Sequence, residues 1–515
     1  MDYFEEFLQA IVVGGVKTRD EVLRLKARLC SRHGMARVPT NHEILARVPA
    51  EYREIAEPLL MNKPVRTLSG VAPVAVMTSP YDCPHGRCIY CPGGVPNNTP
   101  QSYTGKEPAA RRAGMYDYDP FRQTKARLEQ LRAIGHRTDK VDLIIMGGTF
   151  TSRPEEYQYF FVKRCFDAMN GFDSADLSSA QKANERAASR CVGLTVETRP
   201  DWFGDREVSV SLALGATKVE LGVQTVDDTV LEGVKRGHGV KEVVEATRRA
   251  KDAGLKLAYH LMPGLPGSSF EKDLESFRTI IEDESFRPDM LKIYPTLVIA
   301  GTGLHDMWRE GAYQPMSLER TVELLALMKR MVPPWIRRLR GQRDIPAQLI
   351  EAGVRKGHLR ELVLKKLRED GASCRCIRCR EIGHIAGKGA GVAEQDVEMR
   401  CIVYRASGGT EHFVSFDVPE TDSLIGYARL RIPDEGEIAL LRELHVYGQM
   451  VPISEPPGKR WQHKRFGERL LIECENIASS HGRRTMRVTS GVGAREYYRR
   501  LGYQLDAPYM SKRLP

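Results

Sequence analysis

The sequence predicts an α/β fold in which a partial (β/α)6 barrel is joined to a smaller α+β domain, with a small helical region at the N-terminus. Three observations predict it. At 515 residues the chain is too long for a single core. From about residue 71, short continuous apolar runs alternate with longer amphipathic stretches, as in parallel strands covered by helices. Beyond about residue 395, apolar runs follow one another as in antiparallel sheet.

The helical region of this prediction covers residues 1–70. Apolar residues recur there at helical spacing, most clearly over 21–29. The whole chain is 42% hydrophobic and 28% charged, which is ordinary for a globular protein and excludes a largely disordered chain. We therefore expect these helices to form a folded region of their own.

The predicted barrel covers residues 71–320. Six βα units are fewer than the eight of a closed barrel, so we expect an open one, with chemistry where the strands end. The predicted strands are 71–77, 141–146, 191–196, 218–223, 255–261 and 290–294. Polar residues do cluster at the strand ends, namely Glu197, Gln224, His260 and Tyr294.

Three cysteines, Cys83, Cys88 and Cys91, follow the first predicted strand. Three thiolates can hold three irons of a 4Fe–4S cluster and leave one iron open to bind S-adenosylmethionine. On these residues alone, a zinc site completed by His85 is the alternative. A loop after the first strand of a βα barrel, with Tyr90 before the last cysteine, resembles the cluster loop of radical S-adenosylmethionine enzymes. Such enzymes form a radical that takes hydrogen from an unactivated C–H bond.

Residues 321–394 are predicted to form a connector that carries a second metal site. Cys374, Cys376 and Cys379 place three thiols within six residues, a spacing that suits tetrahedral zinc and makes disulfides strained. The open candidates for the fourth ligand are His384, Cys401 and a water molecule.

The positive charge of the chain is concentrated in this connector. The net charge is +10, and residues 329–380 hold 15 Lys and Arg against 5 Asp and Glu, which leaves 62 of each sign elsewhere. Such a run is either a solvated helical face or a surface that binds a polyanion. In the second case Trp335 would offer a stacking element.

Cysteine usage and hydropathy bear on the compartment. The 11 cysteines are odd in number and unevenly placed, which indicates thiols used for metals in a reducing compartment. The acidic start of the chain gives no sign of a secretory signal, and no run of 18 apolar residues occurs. We therefore expect a cytoplasmic protein without a membrane partner.

Residues 395–515 are predicted to form the α+β domain. A strand ends near residue 448, and a helix begins near residue 466, where free amides suit a pyrophosphate group. Another helix begins near residue 494 and carries Tyr497 and Tyr498. This order resembles the GCN5-related acetyltransferase fold, in which an early tyrosine can protonate or position the coenzyme A thiolate. The alternative is two helices packed on a sheet with tyrosines in the core.

Taken together, these motifs resemble the catalytic subunit of Elongator and its stand-alone archaeal and bacterial relatives, the tRNA uridine carboxymethyltransferases. The resemblance runs from about residue 20 to the end of the chain. Radical and acetyltransferase motifs in one chain are highly specific to this family. The matching blocks are 83–94, 101–105, 146–150, 197–201, 220–225, 236–238, 260–267, 292–295, 343–346, 374–380, 443–448 and 490–498.

The resemblance implies one reaction that uses both domains. The 5'-deoxyadenosyl radical would take hydrogen from the methyl group of acetyl-CoA, and the carbon radical would add to C5 of the wobble uridine. Thioester hydrolysis would then leave 5-carboxymethyluridine. The implied cofactors are a 4Fe–4S cluster, S-adenosylmethionine, acetyl-CoA and zinc. The implied partner is the anticodon arm of tRNA, held by the basic connector and the helical region, and partner subunits or a homodimer stay open.

The resemblance also assigns site residues. Those expected to contact acetyl-CoA are Lys140, Glu443, Leu444, His445, Val446, Phe466, Gly467, Glu468 and Tyr498. Those expected to be catalytic are Lys292, Tyr497 and Tyr498, with Lys292 facing the site between the domains.

Two other functions stay open on the sequence. The C-terminal fold alone would permit protein lysine acetylation, and a scaffold or tRNA-binding subunit with decayed chemistry is the third possibility. The three cluster cysteines and the basic connector favour tRNA modification, because simple acetylation needs neither of them.

One position departs from the family pattern. Family members usually carry glycine at the first glycine of a Gln-x-x-Gly-x-Gly loop, where this chain has Arg465. An arginine there either crowds the pyrophosphate or clamps it with its guanidinium. We predict that Arg465→Gly changes the affinity for acetyl-CoA, towards tighter binding if the side chain crowds the ligand. Calorimetry with acetyl-CoA measures this, and an unchanged affinity would contradict the prediction.

Overall fold

The fold is described from a computed structural model that covers residues 1–61, 67, 69–383, 394–447 and 465–515. Two predicted features lie outside these described residues. They are the zinc-ligand candidate His384 and the segment 448–464, which contains the end of the predicted strand and most of the loop before Arg465.

The N-terminal region is helical, as predicted. Its helices are α1 (Tyr3–Val12), α2 (Arg19–Arg32), α3 (Asn41–Leu45) and α4 (Arg53–Leu60). The first three begin with capping boxes, in which Asp2, Thr18 or Thr40 accepts a hydrogen bond from a backbone N–H one turn ahead. The four helices bury a small core of their own that includes Phe7 and Leu25. This region is therefore held together by its own apolar contacts.

The barrel is an open sheet of seven strands, all parallel. In chain order, which is also their order in the sheet, they are β1 (Ala72–Met77), β2 (Lys140–Met146), β3 (Arg190–Thr198), β4 (Lys218–Gln224), β5 (Lys256–Leu261), β6 (Met290–Ile293) and β7 (Arg337–Arg340). The partial α/β barrel predicted from the apolar runs is thus confirmed.

Helices connect and cover these strands. They are α5 (Pro108–Met115), α6 (Pro120–Ala133), α7 (Glu155–Asn170), α8 (Leu177–Asn184), α9 (Asp205–Ala213), α10 (Asp228–Gly233), α11 (Val240–Asp252), α12 (Phe270–Glu282), α13 (Gly303–Arg309), α14 (Leu318–Met331), α15 (Leu359–Glu369) and α16 (Ile377–Arg380). A short antiparallel ribbon pairs Val298–Ile299 with Ile350–Ala352. No helix among the described residues is both long and apolar enough to cross a membrane.

The seventh strand, β7, was not predicted. It pairs with β6 and lies inside the segment assigned to the connector. Its sequence is Arg-Arg-Leu-Arg, so no apolar run indicated a strand. Arg338 is nevertheless buried, which shows that tertiary contacts overrode the local polarity.

The C-terminal domain is a second sheet of seven strands covered by two helices. In chain order the strands are β8 (Glu398–Arg405), β9 (Gly409–Val418), β10 (Ser423–Pro433), β11 (Ile438–Val446), β12 (Thr485–Val488), β13 (Gln504–Asp506) and β14 (Tyr509–Arg513). The helices are α17 (Phe466–Ser480) and α18 (Arg495–Arg499).

The strands of this second sheet are antiparallel except for β11 and β12. The parallel pairing covers Ile438–Leu441 only. The last residues of β11 therefore continue beyond their pairing with β12, and they lie beside the start of α17, where Val446 faces Gly467.

The two domains are joined by buried ion pairs. Asp289, just before β6, accepts a hydrogen bond of 2.8 Å from Arg442 of β11. Lys251 of α11 lies 3.8 Å from Asp289 and 3.6 Å from Glu411 of β9, which also faces Arg442 at 3.1 Å. Burial alone would raise the pKa of Asp289, but Arg442 and Lys251 hold it well below its ordinary value. The second domain is thereby fixed at the amino ends of the barrel strands.

Two glycines bring the domains into close contact. A Cβ on Gly491 would overlap the carbonyl oxygen of Val192 in β3, and a Cβ on Gly493 would overlap Arg190. These glycines belong to the 490–498 block that the sequence analysis assigned to the acetyltransferase motif. Their small size thus serves the packing of the start of α18 against the barrel.

We predict that Asp289→Asn lowers the free energy of unfolding by about 3–5 kcal/mol, because it leaves Arg442 buried without its full counter-charge. Urea unfolding measures this change. The control is Glu369→Gln, which removes an exposed ion pair with Lys365 at 3.6 Å and should cost no more than about 1 kcal/mol. Equal midpoints for the two variants would contradict the prediction.

Candidate active site

The cysteine loop lies at the carboxyl end of β1. The backbone N–H of Ser102 donates to Cys91 Sγ at 3.2 Å, and Arg236 Nη1 lies 3.6 Å from Cys88 Sγ. Cys83 Sγ is 3.5 Å from the hydroxyl of Thr149, which follows β2. A backbone N–H and a guanidinium thus lie next to two of the sulfurs, whereas burial raises the pKa of the Cys83 thiol. The loop therefore presents three sulfur donors, and it is as thiolates that cysteines bind metals.

The spacing of these donors fits a cluster better than a single ion. Two zinc-bound sulfurs lie about 3.8 Å apart, since each Zn–S bond is about 2.3 Å. Within the described ranges, the three loop cysteines do not form a group whose ligand atoms all lie within 4.8 Å, whereas two other groups do. His85 contacts only Cys88, with Nε2 3.2 Å from Sγ. Burial together with Arg199 lowers the pKa of His85 to about 4, so its ring is neutral.

The glycine turn after β2 packs directly on this loop. Gly147 has φ +133, and a Cβ there would overlap the Thr78 hydroxyl, while a Cβ on Gly148 would lie 3.1 Å from the Gln101 side chain. The side-chain oxygen of Gln101, Oε1, lies 3.1 Å from Cys91 Sγ. The glycine turn therefore packs against a side chain that contacts the last cysteine of the loop.

A polar cluster fills the barrel interior below the cysteine loop. Glu197, Glu220, His260 and Lys292 come from four successive strands, β3 to β6. Glu220 Oε2 is 2.9 Å from His260 Nε2, and Lys292 Nζ donates to the same carboxylate. Lys292 is also 3.6 Å from Glu197, which accepts a 2.9 Å hydrogen bond from Tyr103. Tyr103 follows the last cysteine of the loop in sequence, so its hydrogen bond to Glu197 links this polar cluster to the cysteine loop.

Within this cluster, Glu220 and the lysines each favour the charged form of the other. Burial alone would raise the pKa of Glu220, but Lys292 and Lys218 hold it well below its ordinary value. Burial works against the charge on Lys292, yet Glu220 raises its pKa above the ordinary lysine value. Glu220 is therefore a carboxylate and Lys292 an ammonium. Lys292 is among the site residues that the resemblance predicts, whereas Glu220 is predicted only as part of the matching block 220–225.

The polar interior continues toward the second domain. Lys218 lies 3.3 Å from Glu220 and pairs across the sheet with Lys256, the first residue of β5. Burial lowers the pKa of Lys256, and Glu443 of β11 acts against that shift. Lys140 begins β2 at the same end of the barrel, and burial lowers its pKa as well. A line of charged side chains thus runs from the cysteine loop to the second domain.

The four predicted residues at the end of β11 divide between two faces. Leu444 and Val446 pack with the core beneath α17. Glu443 accepts a hydrogen bond of 2.8 Å from Arg429, and His445 Nε2 lies 3.0 Å from the carbonyl oxygen of Ser69, ahead of β1. One face thus meets the helix and the other meets the barrel.

The two predicted tyrosines lie in different places. A Cβ on Gly467 of α17 would lie 2.9 Å from the hydroxyl of Tyr497 and 3.8 Å from Val446. Tyr497 is half-buried in this cleft, and burial raises its pKa to about 12. Tyr498 is buried in the core, edge-on to Tyr503 at 5.8 Å. The hydroxyl beside the start of α17 therefore belongs to Tyr497.

The start of α17 carries the residue that departs from the family pattern. Arg465 has φ +61, a left-handed conformation that glycine adopts without strain. Its side chain is 84% exposed and lies 4.0 Å from Glu468. Phe466 is buried against Phe416, so it anchors the helix start to the sheet. The guanidinium of Arg465 thus lies at the surface of the described cleft.

The second cysteine group is compact. Cys374, Cys376 and Cys379 bring their sulfurs within 4.8 Å of one another at the short helix α16. Hydrogen bonds from the other two cysteines hold the pKa of Cys376 well below its ordinary value. Lys329 Nζ lies 3.6 Å from Cys379 Sγ. Three sulfurs this close are a donor set for one tetrahedral ion.

The structure removes one candidate for a fourth ligand. Cys401 is exposed on β8, where its sulfur lies 3.8 Å from His412 Nδ1, and it is not part of the three-sulfur group. Cys401 is near the three cysteines in sequence. In the structure it lies in β8 opposite Val414, apart from the three-sulfur group.

The basic segment 329–380 does not lie on one surface. Lys329, Arg338 and Arg380 are buried, and Arg378 donates to the carbonyl oxygen of Leu339. These side chains neutralise buried sulfurs and carboxylates instead of facing solvent. The exposed members are Arg330, Arg340, Arg355, Lys356, Arg360, Lys365, Arg368 and Arg375.

The proposed stacking role of Trp335 was wrong. Its ring stacks on Tyr404 with centroids 4.4 Å apart and planes 16° apart, and it packs against the cores of both domains. A large aromatic side chain between two apolar layers gains more from burial there than on the surface. Trp335 therefore belongs to the domain interface.

Comparison with known proteins gives consistent matches along the chain. Residues 1–68 match the ELP3 N-terminal domain, residues 78–280 the Radical SAM superfamily, and residues 288–369 the Radical_SAM C-terminal domain. The tRNA uridine(34) acetyltransferase of Methanocaldococcus jannaschii is 49% identical over 97% of this chain and 94% of its own. Elongator complex protein 3 of Homo sapiens is 44% identical over 95% of this chain and 93% of its own.

A solved structure is also similar over most of the chain. The archaeal Methanocaldococcus infernus Elp3 with N-terminus deletion (1-46) is 45% identical and has a TM-score of 0.77. The match covers 87% of this chain and 100% of that one. The barrel and the second sheet are therefore shared with that protein.

Proposed function

The chain belongs to the Elongator complex protein 3 family of radical S-adenosylmethionine enzymes, and on that premise we propose that it forms 5-carboxymethyluridine at the wobble position of tRNA. One observation carries the proposal. A continuous line of charged side chains in the barrel interior runs from the cysteine loop to the end of β11, through Glu197, Glu220 and Lys218. These contacts link the proposed cluster site with the residues proposed to contact acetyl-CoA.

The cysteine loop would hold the 4Fe–4S cluster that a radical S-adenosylmethionine domain uses. Cys83, Cys88 and Cys91 are its ligands in this proposal, and their spacing supports it. When bound, the cluster supplies the electron for cleavage of S-adenosylmethionine. Ser102 N–H and Arg236 stabilise the sulfur charge, and Tyr103 connects the loop to the interior carboxylates.

Acetyl-CoA would bind between β11 and α17. Leu444, Val446, Phe466, Gly467 and Glu468 border that cleft, and the helix start offers backbone amides to the pyrophosphate. Glu443, His445 and Lys140 lie on the barrel side, where the acetyl group would enter. Tyr497, with a raised pKa, stays protonated, and its hydroxyl can position the coenzyme A sulfur by a hydrogen bond. Tyr498 would support Tyr497 from the core.

Lys292 would face the thioester from the barrel side. Its ammonium is held by Glu220 and Glu197, so its position and charge are fixed before the substrate arrives. A fixed positive charge in a buried site stabilises a developing oxyanion more than a mobile one does. This supports the catalytic role that the sequence analysis gave to Lys292.

The tRNA would contact the exposed part of the basic segment. Arg355, Lys356 and Arg360 lie at the start of α15, and Arg368 follows near its end. The phosphate backbone of the anticodon arm is a polyanion that such a group attracts in a salt-dependent way. The N-terminal helices are a further proposed contact.

Protein lysine acetylation is not favoured. It would use neither the cysteine loop nor the barrel interior, and the relatives carry the names of a tRNA uridine acetyltransferase and Elongator complex protein 3. Partner subunits and a homodimer are not part of the proposal.

The test is a reaction of the reconstituted, reduced enzyme with tRNA, acetyl-CoA and S-adenosylmethionine, followed by mass spectrometry of the nucleosides. We expect 5-carboxymethyluridine from the unaltered protein. Cys88→Ala should abolish the product and leave tRNA binding unchanged, because Cys88 is buried and carries no charge that phosphate could contact. Acetylated peptide without modified uridine would overturn the proposal.

Zinc is the proposed occupant of the second cysteine group. Three sulfurs within 4.8 Å suit its tetrahedral coordination, and the fourth ligand is His384 or water. We predict about one zinc per chain by metal analysis, and loss of it in Cys376→Ser, whose sulfur is buried among the other two. Cys401→Ser should keep its zinc. Equal zinc contents in the two variants would contradict the assignment.

A further inference from the structure

The proposed reaction ends in hydrolysis of a thioester, which needs a base to activate water. The three residues assigned as catalytic do not supply one, because Lys292 is held as an ammonium, Tyr497 as a neutral phenol and Tyr498 in the core. On the premise of the proposed function, we propose that His260 is the general base for this hydrolysis and that Glu220 positions it.

The contact between the two side chains sets the tautomer of the imidazole. His260 Nε2 lies 2.9 Å from Glu220 Oε2. Lys292 and Lys218 keep Glu220 ionised, so this carboxylate only accepts hydrogen bonds and Nε2 must carry the proton. Nδ1 then holds the lone pair. In the part of the chain that the structure describes, Nδ1 of His260 has no hydrogen-bonding partner.

His260 is more exposed than Glu220. A general base has to reach the substrate, whereas the residue that positions it does not. The side chain of Glu220 is 1% exposed, whereas that of His260 is 17% exposed. The carboxylate is therefore enclosed, whereas part of the imidazole is accessible. Tyr294 lies edge-on to the imidazole with centroids 5.7 Å apart, which limits the rotation of the ring.

His260 also lies between the two sites that the proposed reaction connects. Across the sheet it pairs with Lys292, one layer above Glu220 and two layers above Lys218. Tyr103, which follows the cysteine loop, contacts Glu197 of this cluster, and Glu443 of β11 acts on Lys256 in the layer of Lys218. The proposal therefore places the thioester beside His260, between these two sites.

The residues divide the step between them. Water oxygen forms a bond to the thioester carbonyl carbon as one water proton passes to His260 Nδ1. The oxyanion that develops faces the Lys292 ammonium. The intermediate then collapses, the C–S bond breaks, and the sulfur leaves as a thiol with the proton from the imidazolium. The products are a carboxylate on the uridine side chain and free coenzyme A, and no electron is transferred.

A bound cation is the other reading of this cluster. Glu197, Glu220 and His260 do bring ligand atoms within 4.8 Å of one another. The ammonium of Lys292, however, contacts both carboxylates and supplies the positive charge that a metal would bring. Lys218 adds a second positive charge at 3.3 Å. The carboxylates are therefore already neutralised, and the cluster is organised for proton transfer.

The experiment uses His260→Gln in the reconstituted, reduced enzyme with tRNA, acetyl-CoA and S-adenosylmethionine. The reaction is quenched with hydroxylamine, which converts thioesters to hydroxamates, and the nucleosides are analysed by mass spectrometry. We expect thioester hydrolysis to fall by about 10²- to 10⁴-fold. The variant should accumulate the uridine hydroxamate while it forms 5'-deoxyadenosine at the unaltered rate.

The matched control is His481→Gln, which changes an exposed histidine at the end of α17. It should form 5-carboxymethyluridine like the unaltered protein. Thermal unfolding of both variants excludes a loss of fold, because glutamine fills most of the volume of the imidazole and can still donate to Glu220.

Glu220→Gln tests the positioning role. An amide can donate as well as accept, so it no longer fixes the proton on Nε2 of His260. We expect slower hydrolysis with accumulation of the uridine hydroxamate, as in His260→Gln. A lower unfolding midpoint without any hydroxamate would show a merely structural role and overturn the assignment of Glu220.

The outcomes separate the two proposals. If the unaltered protein forms 5-carboxymethyluridine and His260→Gln forms it equally fast, the assignment of His260 is overturned and the proposed function stands. If the unaltered protein forms no modified uridine, both are overturned. Trapped hydroxamate in His260→Gln alone supports both.

Discussion

The buried ion pairs around Asp289 determine how the two domains face each other. Asp289 and Glu411 are enclosed with Arg442 and Lys251, and all four side chains are buried. Removing charges from water is costly unless every charge finds a partner, so only one arrangement of the domains satisfies this set. That arrangement places the end of β11 against the amino ends of the barrel strands. The position of Glu443 and His445 against the barrel follows from it.

Because the second domain closes the amino ends, the barrel interior becomes the connection between the two kinds of chemistry. The cysteine loop lies at the carboxyl ends of the strands, and the cleft beside α17 lies at the other end. Buried charged side chains on β3 to β6 lie between them, where an apolar core would be expected in a closed barrel. Lys292 and Glu220 are stable there because each neutralises the other. His260 contacts the same carboxylate and is more exposed than its partner.

Particular elements show where sequence reasoning succeeds and where it fails. The strand over 438–446 and six barrel strands were predicted from apolar runs, because burial on both faces leaves a local signature. Strand β7 was missed because three of its four residues are arginines. Trp335 was placed on the surface, whereas it packs between the domains against Tyr404. The basic residues of the segment 329–380 are partly buried and partly exposed. A count from the sequence cannot distinguish Arg338, which is buried beside cysteine sulfurs, from Arg355, which is exposed to solvent.

The sequence by itself determined the elements, the two cysteine groups and the family, since these depend on spacing within a few residues or on motifs read in order. Only the tertiary structure decided which side chains act together. Glu220 and His260 are 40 residues apart, and Glu220 and Lys292 are 72 apart. Parallel strands with helical crossovers bring such positions side by side by register, and no local pattern records that register. Motifs that are separate in the sequence therefore form one polar interior in the tertiary structure, and this interior reaches both domains.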